Sequence, residues 1–317
     1  MTKHQEDRDR LTEIAVIMST YNGAAYIRSQ LDSILAQRGV KVTLYIRDDG
    51  SRDETPDILR EYSERYSNVI FWNQNNRENM GVTRSFLHLL KEVIAKDSQS
   101  LFFAFADQDD VWLEDKLAVA LEEVLAATPD RQKPSLYYSN KTFVDESLKL
   151  IREESIRNYG DFFEVLESPF AFGCTMLFNR TMAEYAVRVM PLFSYHDAWL
   201  FRLAKSCDAA VVFGSKSYIL YRQHGDNVSK MTPLMRAKLA VAKMRKKREH
   251  ALQNLLREIY DNYADVLGRE ARRYIELVLS YNRNPVSWIR LAFDPHAFQR
   301  GPVNYGIWLG KLVFHIL

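Results

Sequence analysis

The amino-acid sequence predicts an α/β protein with a mostly parallel sheet flanked by helices, followed by a helical C-terminal extension. Short apolar runs predict buried strands at residues 14–18, 42–46, 69–72 and 101–106. Segments with apolar residues at helical spacing separate these strands, at residues 24–37, 58–66 and 82–94. Strands that are apolar on both sides and alternate with helices are typical of parallel sheets covered on both faces.

Three polar clusters follow predicted strands, and each begins where its strand ends. They occupy residues 19–22, 48–51 and 107–110. In open α/β sheets ligands bind beyond the carboxyl ends of the strands. We therefore expect the three clusters to line one rim of the sheet.

The second half of the chain is less regular. Strands are predicted at 136–144, 175–178, 209–213 and 218–222, with a helix at 180–188. Beyond residue 231 a long helical pattern carries seven basic residues and one acidic residue up to residue 250. The change of character predicts a boundary near Ser229, with a catalytic domain at 1–229 and a basic helical region at 230–317.

Composition restricts the class of protein only weakly. The 317 residues include 43 basic and 41 acidic side chains, so the net charge of +2 favours neither a nucleic acid nor an acidic partner. Cys174 and Cys207 lack metal-binding or redox spacing and are interpreted as buried apolar residues in a reducing compartment. The polar N-terminus and the lack of an apolar run of ~20 residues predict a cytoplasmic location without a membrane span.

The loop after the fourth strand is the most distinctive polar cluster. It contains Asp107, Asp109 and Asp110, and alternate carboxylates on an extended loop can point to one side. Carboxylate oxygens suit Mg²⁺ or Mn²⁺, and such an ion commonly links protein carboxylates to a substrate diphosphate. The alternative is a solvated turn with Asp110 as the cap of the next helix.

The loop after the second strand has a similar character. Asp48 and Asp49 precede Gly50, which permits close backbone approach, and Ser51, which offers a hydroxyl group. This loop suits a nucleobase and its ribose, and its alternative is an ordinary Asp-Gly turn. Three such loops at one rim favour a ligand site over three separate turns.

These motifs together resemble the family 2 glycosyltransferases, whose nucleotide-sugar-binding domain has the GT-A fold. STYNG at 19–23, DDGS at 48–51, Asn79 with Gly81, and ADQDD at 106–110 occur in the family's order. The resemblance covers roughly the first 230 residues. It implies a metal-dependent enzyme that transfers a sugar from a nucleotide donor.

The resemblance also implies a role for individual residues. Thr20 and Tyr21 would contact the nucleobase, Asp49 the base or ribose, Asp107 the ribose, and Asp109 the metal that carries the diphosphate. Asp110 would support the sugar or the metal shell. The donor-binding set predicted in this way comprises Thr20, Tyr21, Asn22, Asp48, Asp49, Ser51, Asn79, Asp107, Gln108 and Asp110.

An inverting transfer needs a base that deprotonates the acceptor hydroxyl. Family members usually carry an acidic residue before a helix in the position of Asp197, within SYHDAWL. Asp197 is therefore the predicted base, and its neighbour His196 is either a supporting residue or the base itself. The alternatives are a helix cap for Asp197 and a packed histidine for His196.

Four further residues are assigned to the rest of the site. His224, in RQHG after a strand, can reach back to the metal or diphosphate, or can instead be satisfied by the turn itself. Phe172 and Gly173 lie in a segment that resembles the acceptor-side strand of the family and can shape the sugar pocket, with a core position as the favoured alternative for Phe172. Trp112 is placed on the acceptor side with them.

Within the family, the motifs look most like bacterial rhamnosyltransferases of cell-surface polysaccharide synthesis. This implies dTDP-L-rhamnose, or a related dTDP- or UDP-sugar, as donor and a glycan or lipid-linked acceptor. The chain lacks the QxxRW motif and the membrane spans of the processive synthases, so one sugar per encounter is expected.

The basic run at 243–250, with Arg236 and Lys238, predicts contact with an anionic membrane, at the inner face of the cell membrane. Its alternative is a solvated helix face that packs its apolar side on the catalytic domain. Nucleic acid is not an expected partner, because the region lacks a recognisable binding fold.

Two other functions compete with sugar transfer. A sugar nucleotidyltransferase also uses a nucleotide and a divalent ion, but residues 19–23 lack the Gly-rich, basic loop usual in that class. A non-catalytic scaffold for glycan assembly would have lost catalytic carboxylates, whereas Asp49, Asp107, Asp109 and Asp197 are all present.

Overall fold

The computed structural model describes residues 11–75, 78–155, 162–167, 171–225, 251–295 and 302–313. Within these residues nine strands form one sheet, in the order β3-β2-β1-β4-β8-β6-β9-β5, with β7 paired to β6. The strands are β1 (Glu13–Thr20), β2 (Lys41–Asp48), β3 (Val69–Phe71), β4 (Phe102–Ala106), β5 (Val111–Trp112), β6 (Ser135–Val144), β7 (Leu150–Glu153), β8 (Leu177–Asn179) and β9 (Ala210–Arg222).

Helices cover both faces of this sheet, and further helices come after its last strand in the chain. They are α1 (Ile27–Leu35), α2 (Thr55–Arg65), α3 (Val82–Lys96), α4 (Lys116–Ala127), α5 (Phe162–Glu167), α6 (Arg180–Val187), α7 (His196–Ser206), α8 (Ala251–Tyr263), α9 (Arg269–Ser280), α10 (Pro285–Ala292) and α11 (Pro302–Val313). The predicted α/β sheet flanked by helices, with further helices at the C-terminal end, is confirmed.

The first half of the sheet is parallel and buried on both sides. Ala15 and Ile17 of β1 join the apolar cluster on one face, whereas Ile14, Val16 and Met18 join the cluster on the other. This two-sided burial explains why β1 is a continuous apolar run instead of an alternating one.

The second half is mixed. Strand β8 runs antiparallel to both β4 and β6, β9 runs parallel to β6, and β5 returns antiparallel to β9. The two strands expected at 209–213 and 218–222 are one strand, β9, whose register against β6 shifts near Asn140. The Asn140 amide donates to the carbonyl of Ser215 at 2.8 Å, which supports the backbone at this irregularity.

The parallel register brings the polar loops together. Thr20 at the end of β1 pairs with Asp48 at the end of β2, and Met18 pairs with Ala106 at the end of β4. The loops at 19–23, 48–51 and 107–110 therefore start at the same edge of the sheet, as the sequence predicts.

The C-terminal helices share a hydrophobic cluster with the catalytic half. The Tyr263 hydroxyl donates to the carbonyl of Tyr185 at 2.7 Å, and its ring meets Trp199 of α7 edge-on. Trp308 is buried and donates to the carbonyl of Leu291. The boundary near Ser229 and the basic residues at 236–250 lie outside the described residues. In the part of the chain that is described, no helix is both long and apolar enough to cross a bilayer.

This shared cluster predicts that α9 stabilises the whole catalytic unit. Ile275 is fully buried, so Ile275→Ala should lower the free energy of unfolding by about 2–5 kcal/mol in a single denaturant transition. Arg273→Ala, at an exposed position of the same helix, is the matched control and should change it little. Two separate transitions, with only one shifted by Ile275→Ala, would contradict a common core.

Candidate active site

The first two rim loops are bonded to each other. Asn22 has a left-handed backbone conformation, with φ of 49°, and its N–H donates to the Ser51 hydroxyl at 2.8 Å. The Asn22 side-chain oxygen accepts from the N–H of Arg52 at 2.9 Å. These reciprocal bonds fix the separation of the loops that follow β1 and β2.

The Gln108 side-chain amide joins the third loop to the first by hydrogen bonds. The Tyr21 N–H donates to the Gln108 side-chain oxygen at 2.8 Å, and the Gln108 Nε2 donates to the Tyr21 carbonyl at 3.0 Å. A Cβ at position 23 would lie 2.4 Å from Gln108 Oε1, so Gly23 is required for this contact. The Tyr21 side chain is 47% exposed, which leaves its ring available to a ligand.

Both carboxylate oxygens of Asp48 accept hydrogen bonds from the protein itself. Its Oδ1 accepts from the hydroxyls of Thr20 and Ser51, and its Oδ2 accepts from the N–H groups of Gly50 and Ser51. In this structure Asp48 and the Thr20 hydroxyl therefore shape the rim loop.

Asp49 is also buried among donors. Its Oδ1 accepts from Arg47 at 2.5 Å and from the N–H of Met80 at 2.7 Å, and its Oδ2 accepts from the N–H of Gly81 at 2.9 Å. The Asn79 amide donates to the Asp49 carbonyl at 2.7 Å. The motif residues Asp49, Asn79 and Gly81 thus join the second rim loop to the start of α3.

The acidic loop concentrates charge at the end of β4. Asp110 is 0% exposed; its Oδ1 accepts from the N–H of Arg222 at 3.2 Å, and its Oδ2 has no partner. Ligand atoms of Asp107, Asp110 and Cys174 lie within 4.8 Å of one another. Burial and then the charge of Asp109 raise the pKa of Asp107 to about 7 and that of Asp110 well above its usual range.

The end of β9 meets this loop from the other side. His224 Nε2 lies 2.7 Å from Asp109 Oδ2, and the His224 ring lies 4.7 Å from that of Tyr26 between ring centroids. The Arg222 Nε donates to the Asp109 carbonyl at 2.8 Å. The structure thus brings together Asp109 and His224, which the sequence analysis assigns to the metal.

Asp197 and His196 begin α7 but have different surroundings. The Asp197 carboxylate is partly exposed and accepts from the N–H groups of Ala198 at 2.7 Å and Gly173 at 3.3 Å. His196 is buried, stacked 4.1 Å from Phe86 and edge-on to Phe105, and neither ring nitrogen has a partner. Burial lowers the pKa of His196, so its imidazole is neutral and packs as an aromatic ring.

The three residues expected on the acceptor side have different surroundings. A Cβ at Gly173 would lie 3.0 Å from His196 Nε2 and 3.3 Å from Asp197 Cβ, so Gly173 leaves room beside the base. Phe172 is partly buried and packs near Tyr221. Trp112 is 3% exposed, and its backbone N–H donates to the Ser33 hydroxyl, so in this structure it contributes to packing.

Sequence reasoning missed four residues beside the acidic loop. Cys174 is buried and free, as expected, but its thiol belongs to the acidic cluster. Arg222 lies in the same motif as His224, and that proximity was its only signal. Lys116 and Lys141 are buried lysines. Lys141 packs against Phe172 and Tyr221, which are distant in the chain, whereas Lys116 packs against the nearby Trp112.

Comparison with known proteins identifies the family of this site. The model of the family described as glycosyl transferase family 2 matches residues 15–185, which is more than half of the chain and includes the rim loops. The chain belongs to glycosyl transferase family 2. The protein is therefore a glycosyltransferase, and the resemblance found in its motifs is confirmed.

A relative agrees with this assignment, and solved structures share the fold. The glycosyltransferase is 28% identical over 221 residues to the dTDP-rhamnosyl transferase RfbG of Shigella flexneri, covering 66% of this chain and 72% of that one. Its fold is similar to that of S. aureus TarS 1–349 in complex with UDP-GlcNAc, with a TM-score of 0.59, 15% identity and coverage of 96% and 82%. The fold is also similar to that of the mannosyltransferase PcManGT of Pyrobaculum calidifontis, in complex with GDP-Man and Mn²⁺. The TM-score is 0.51 and the sequence identity is 16%, with coverage of 97% of this chain and 81% of that one.

The contacts of Asp49 predict that this residue stabilises the fold. In Asp49→Asn the Arg47 guanidinium would keep its burial but lose its ion pair, so the free energy of unfolding should fall by about 3 kcal/mol or more. Denaturant unfolding measures this, with the exposed Asp57→Asn as control. Unchanged stability combined with lost nucleotide affinity would instead place Asp49 against the nucleotide.

Proposed function

We propose that this glycosyltransferase transfers one sugar with inversion, from a nucleotide sugar at the rim to an acceptor hydroxyl that Asp197 deprotonates. The observation that carries the proposal is the convergence of Asp197 with the acidic loop. The Gly173 N–H donates to Asp197 Oδ2 at 3.3 Å, and the next residue, Cys174, lies in the cluster with Asp107 and Asp110. This proximity supports a base and a leaving-group site that act on one bound substrate.

The rim loops support binding of the nucleotide. Their mutual hydrogen bonds hold the loops in place before a ligand arrives, which reduces the entropy lost on binding. The exposed Tyr21 ring offers a face to the nucleobase. Thr20, Asp48 and Asp49 then act mainly by positioning this surface.

The acidic loop suits a divalent cation, either Mg²⁺ or Mn²⁺. Its donors are carboxylate oxygens, and Asp110 Oδ2 is buried without a partner. Mg²⁺ and Mn²⁺ prefer oxygen ligands, so the Cys174 thiol is not expected to bind the cation. Asp107 and Asp109 would hold the cation with His224 beside Asp109, and a bound cation would stabilise negative charge on the departing diphosphate.

Asp197 is suited to the role of base by its surroundings. It lies in the first turn of α7, where the helix dipole stabilises a carboxylate, and it is partly exposed. It would accept the proton of the acceptor hydroxyl as that oxygen attacks the anomeric carbon. Gly173 keeps the approach to this carboxylate open, since a larger side chain would press on His196 and Asp197.

We also propose identities for the donor sugar and the acceptor. The similarity to a dTDP-rhamnosyl transferase supports L-rhamnose from dTDP-L-rhamnose, while the fold is shared with proteins in complex with UDP-GlcNAc and GDP-Man. We further propose a glycan or lipid-linked acceptor of a bacterial cell-surface polysaccharide. The basic residues at 236–250 support a peripheral position at the inner face of an anionic membrane.

A donor panel tests the transfer itself. Incubation with dTDP-L-rhamnose, UDP-GlcNAc or GDP-Man and Mn²⁺ should release dTDP fastest, and a chelator should abolish the release. Asp109→Asn should lower the rate at least about a hundredfold, because it removes a charge from the cation site.

The exposed Asp115→Asn is the matched control, since Asp115 lies beyond β5 and its side chain makes no capping hydrogen bond to α4. Full activity of Asp109→Asn in chelator would refute the cation role. Pyrophosphate release from a nucleoside triphosphate and a sugar phosphate would indicate a nucleotidyltransferase, and donor binding without turnover would indicate a scaffold.

The two neighbours at the start of α7 are separated by a second experiment. Asp197→Asn should reduce kcat by about 10²–10⁴ while donor affinity is retained, because only proton acceptance is lost. His196→Phe should keep most of the activity, since the ring is already stacked on Phe86 and carries no hydrogen bond. Loss of kcat in His196→Phe with wild-type stability, together with an active Asp197→Asn, would make His196 the base.

A further inference from the structure

Two buried lysines pack against aromatic residues that flank the acidic cluster. Lys141, in the middle of β6, is 0% exposed, and its Nζ has no hydrogen-bond partner. That Nζ lies 2.6 Å from the ring centroid of Phe172 and 4.2 Å from that of Tyr221. Lys116, at the start of α4, is 4% exposed, with its Nζ 3.7 Å from the ring centroid of Trp112.

Neither ammonium group is used in a direct ion pair. In the described part of the chain, the salt bridges within 4.0 Å include neither lysine. Both nevertheless interact electrostatically with Asp110 and Cys174, and Lys141 also interacts with Asp107 and Glu154. Burial lowers the pKa of each lysine to about 8, so both carry a positive charge at neutral pH.

These positive charges are unfavourable for the binding of a cation at the acidic loop. A buried ammonium group without a hydrogen bond is costly, and aromatic faces offset only part of the cost. Such a group also repels a divalent cation that enters the same cluster, and burial limits screening by salt. The two ammonium groups therefore oppose part of the attraction that the acidic loop exerts on a cation before any ligand binds.

We propose that Lys116 and Lys141 keep the affinity of the acidic loop for a divalent cation low until a nucleoside diphosphate is bound. This inference rests on the proposed cation site. The negative charge of a diphosphate shifts the balance in favour of the cation, so the two ligands bind cooperatively, and each raises the affinity of the site for the other by the same factor. The lysines act through the loop's electrostatic field and touch neither reacting atom.

The test measures Mn²⁺ binding, with free Mn²⁺ quantified by its electron paramagnetic resonance signal, in the absence and in the presence of dTDP. Wild-type protein should bind Mn²⁺ weakly alone and tightly with dTDP. Lys141→Met and Lys116→Met should each raise the affinity for Mn²⁺ alone by roughly tenfold or more, because each removes one repelling charge. Both substitutions should also reduce the gain that dTDP provides.

Two further variants make the result specific. Lys141→Arg, which keeps the charge, should bind Mn²⁺ as the wild-type protein does, and so should Lys91→Met at an exposed site on α3. A substitution that only damages the fold lowers affinity, so a gain distinguishes the electrostatic role from a structural one. Lys116→Met provides an independent result if Lys141→Met does not fold.

Unchanged Mn²⁺ affinity in both methionine variants would overturn the inference, as would an equal gain in Lys91→Met. Loss of dTDP affinity without a gain for Mn²⁺ would also overturn it, because the lysines would then hold the phosphates directly. The donor panel judges sugar transfer separately: turnover that persists without any change in Mn²⁺ affinity would refute the lysine role alone.

Discussion

One electrostatic constraint governs the arrangement of this site: three carboxylates lie within four residues, directly after the buried strand β4. Burial and, after it, the neighbouring carboxylates raise the pKa values of Asp107 and Asp110. The surrounding structure stabilises the loop from several directions. Arg222 donates to it, His224 lies against Asp109, and two buried lysines pack on aromatic residues that flank it.

The same constraint explains the rigidity of the rim. A charged loop that must accept a charged ligand benefits from a fixed geometry, since reorganisation on binding costs free energy. Gln108 bonds the acidic loop to the first loop, and Asn22 and Ser51 bond the first loop to the second. The parallel register of β1, β2 and β4 brings these loops close enough for such bonds.

The sequence predicted the parts of the molecule that local patterns determine. Apolar runs and helical spacing identified β1, β2, β4 and the first three helices, and the polar loops fell at one rim because parallel strands share their carboxyl ends. It did not predict that Asp48 and Asp49 would be satisfied by the protein itself, since Thr20, Met80 and Gly81 donate to them from distant parts of the chain. The environments of Lys141 and His196 likewise depend on packing across the sheet, which spacing along the chain does not encode.

The donor diphosphate and the cation should meet at the acidic loop. Diffraction at the manganese absorption edge, from crystals grown with dTDP and Mn²⁺, tests this directly. We expect an anomalous peak within bonding distance of Asp109 and of the phosphates, with the base near Tyr21. A peak without a carboxylate ligand from residues 107–110, or dTDP bound away from the rim, would contradict it.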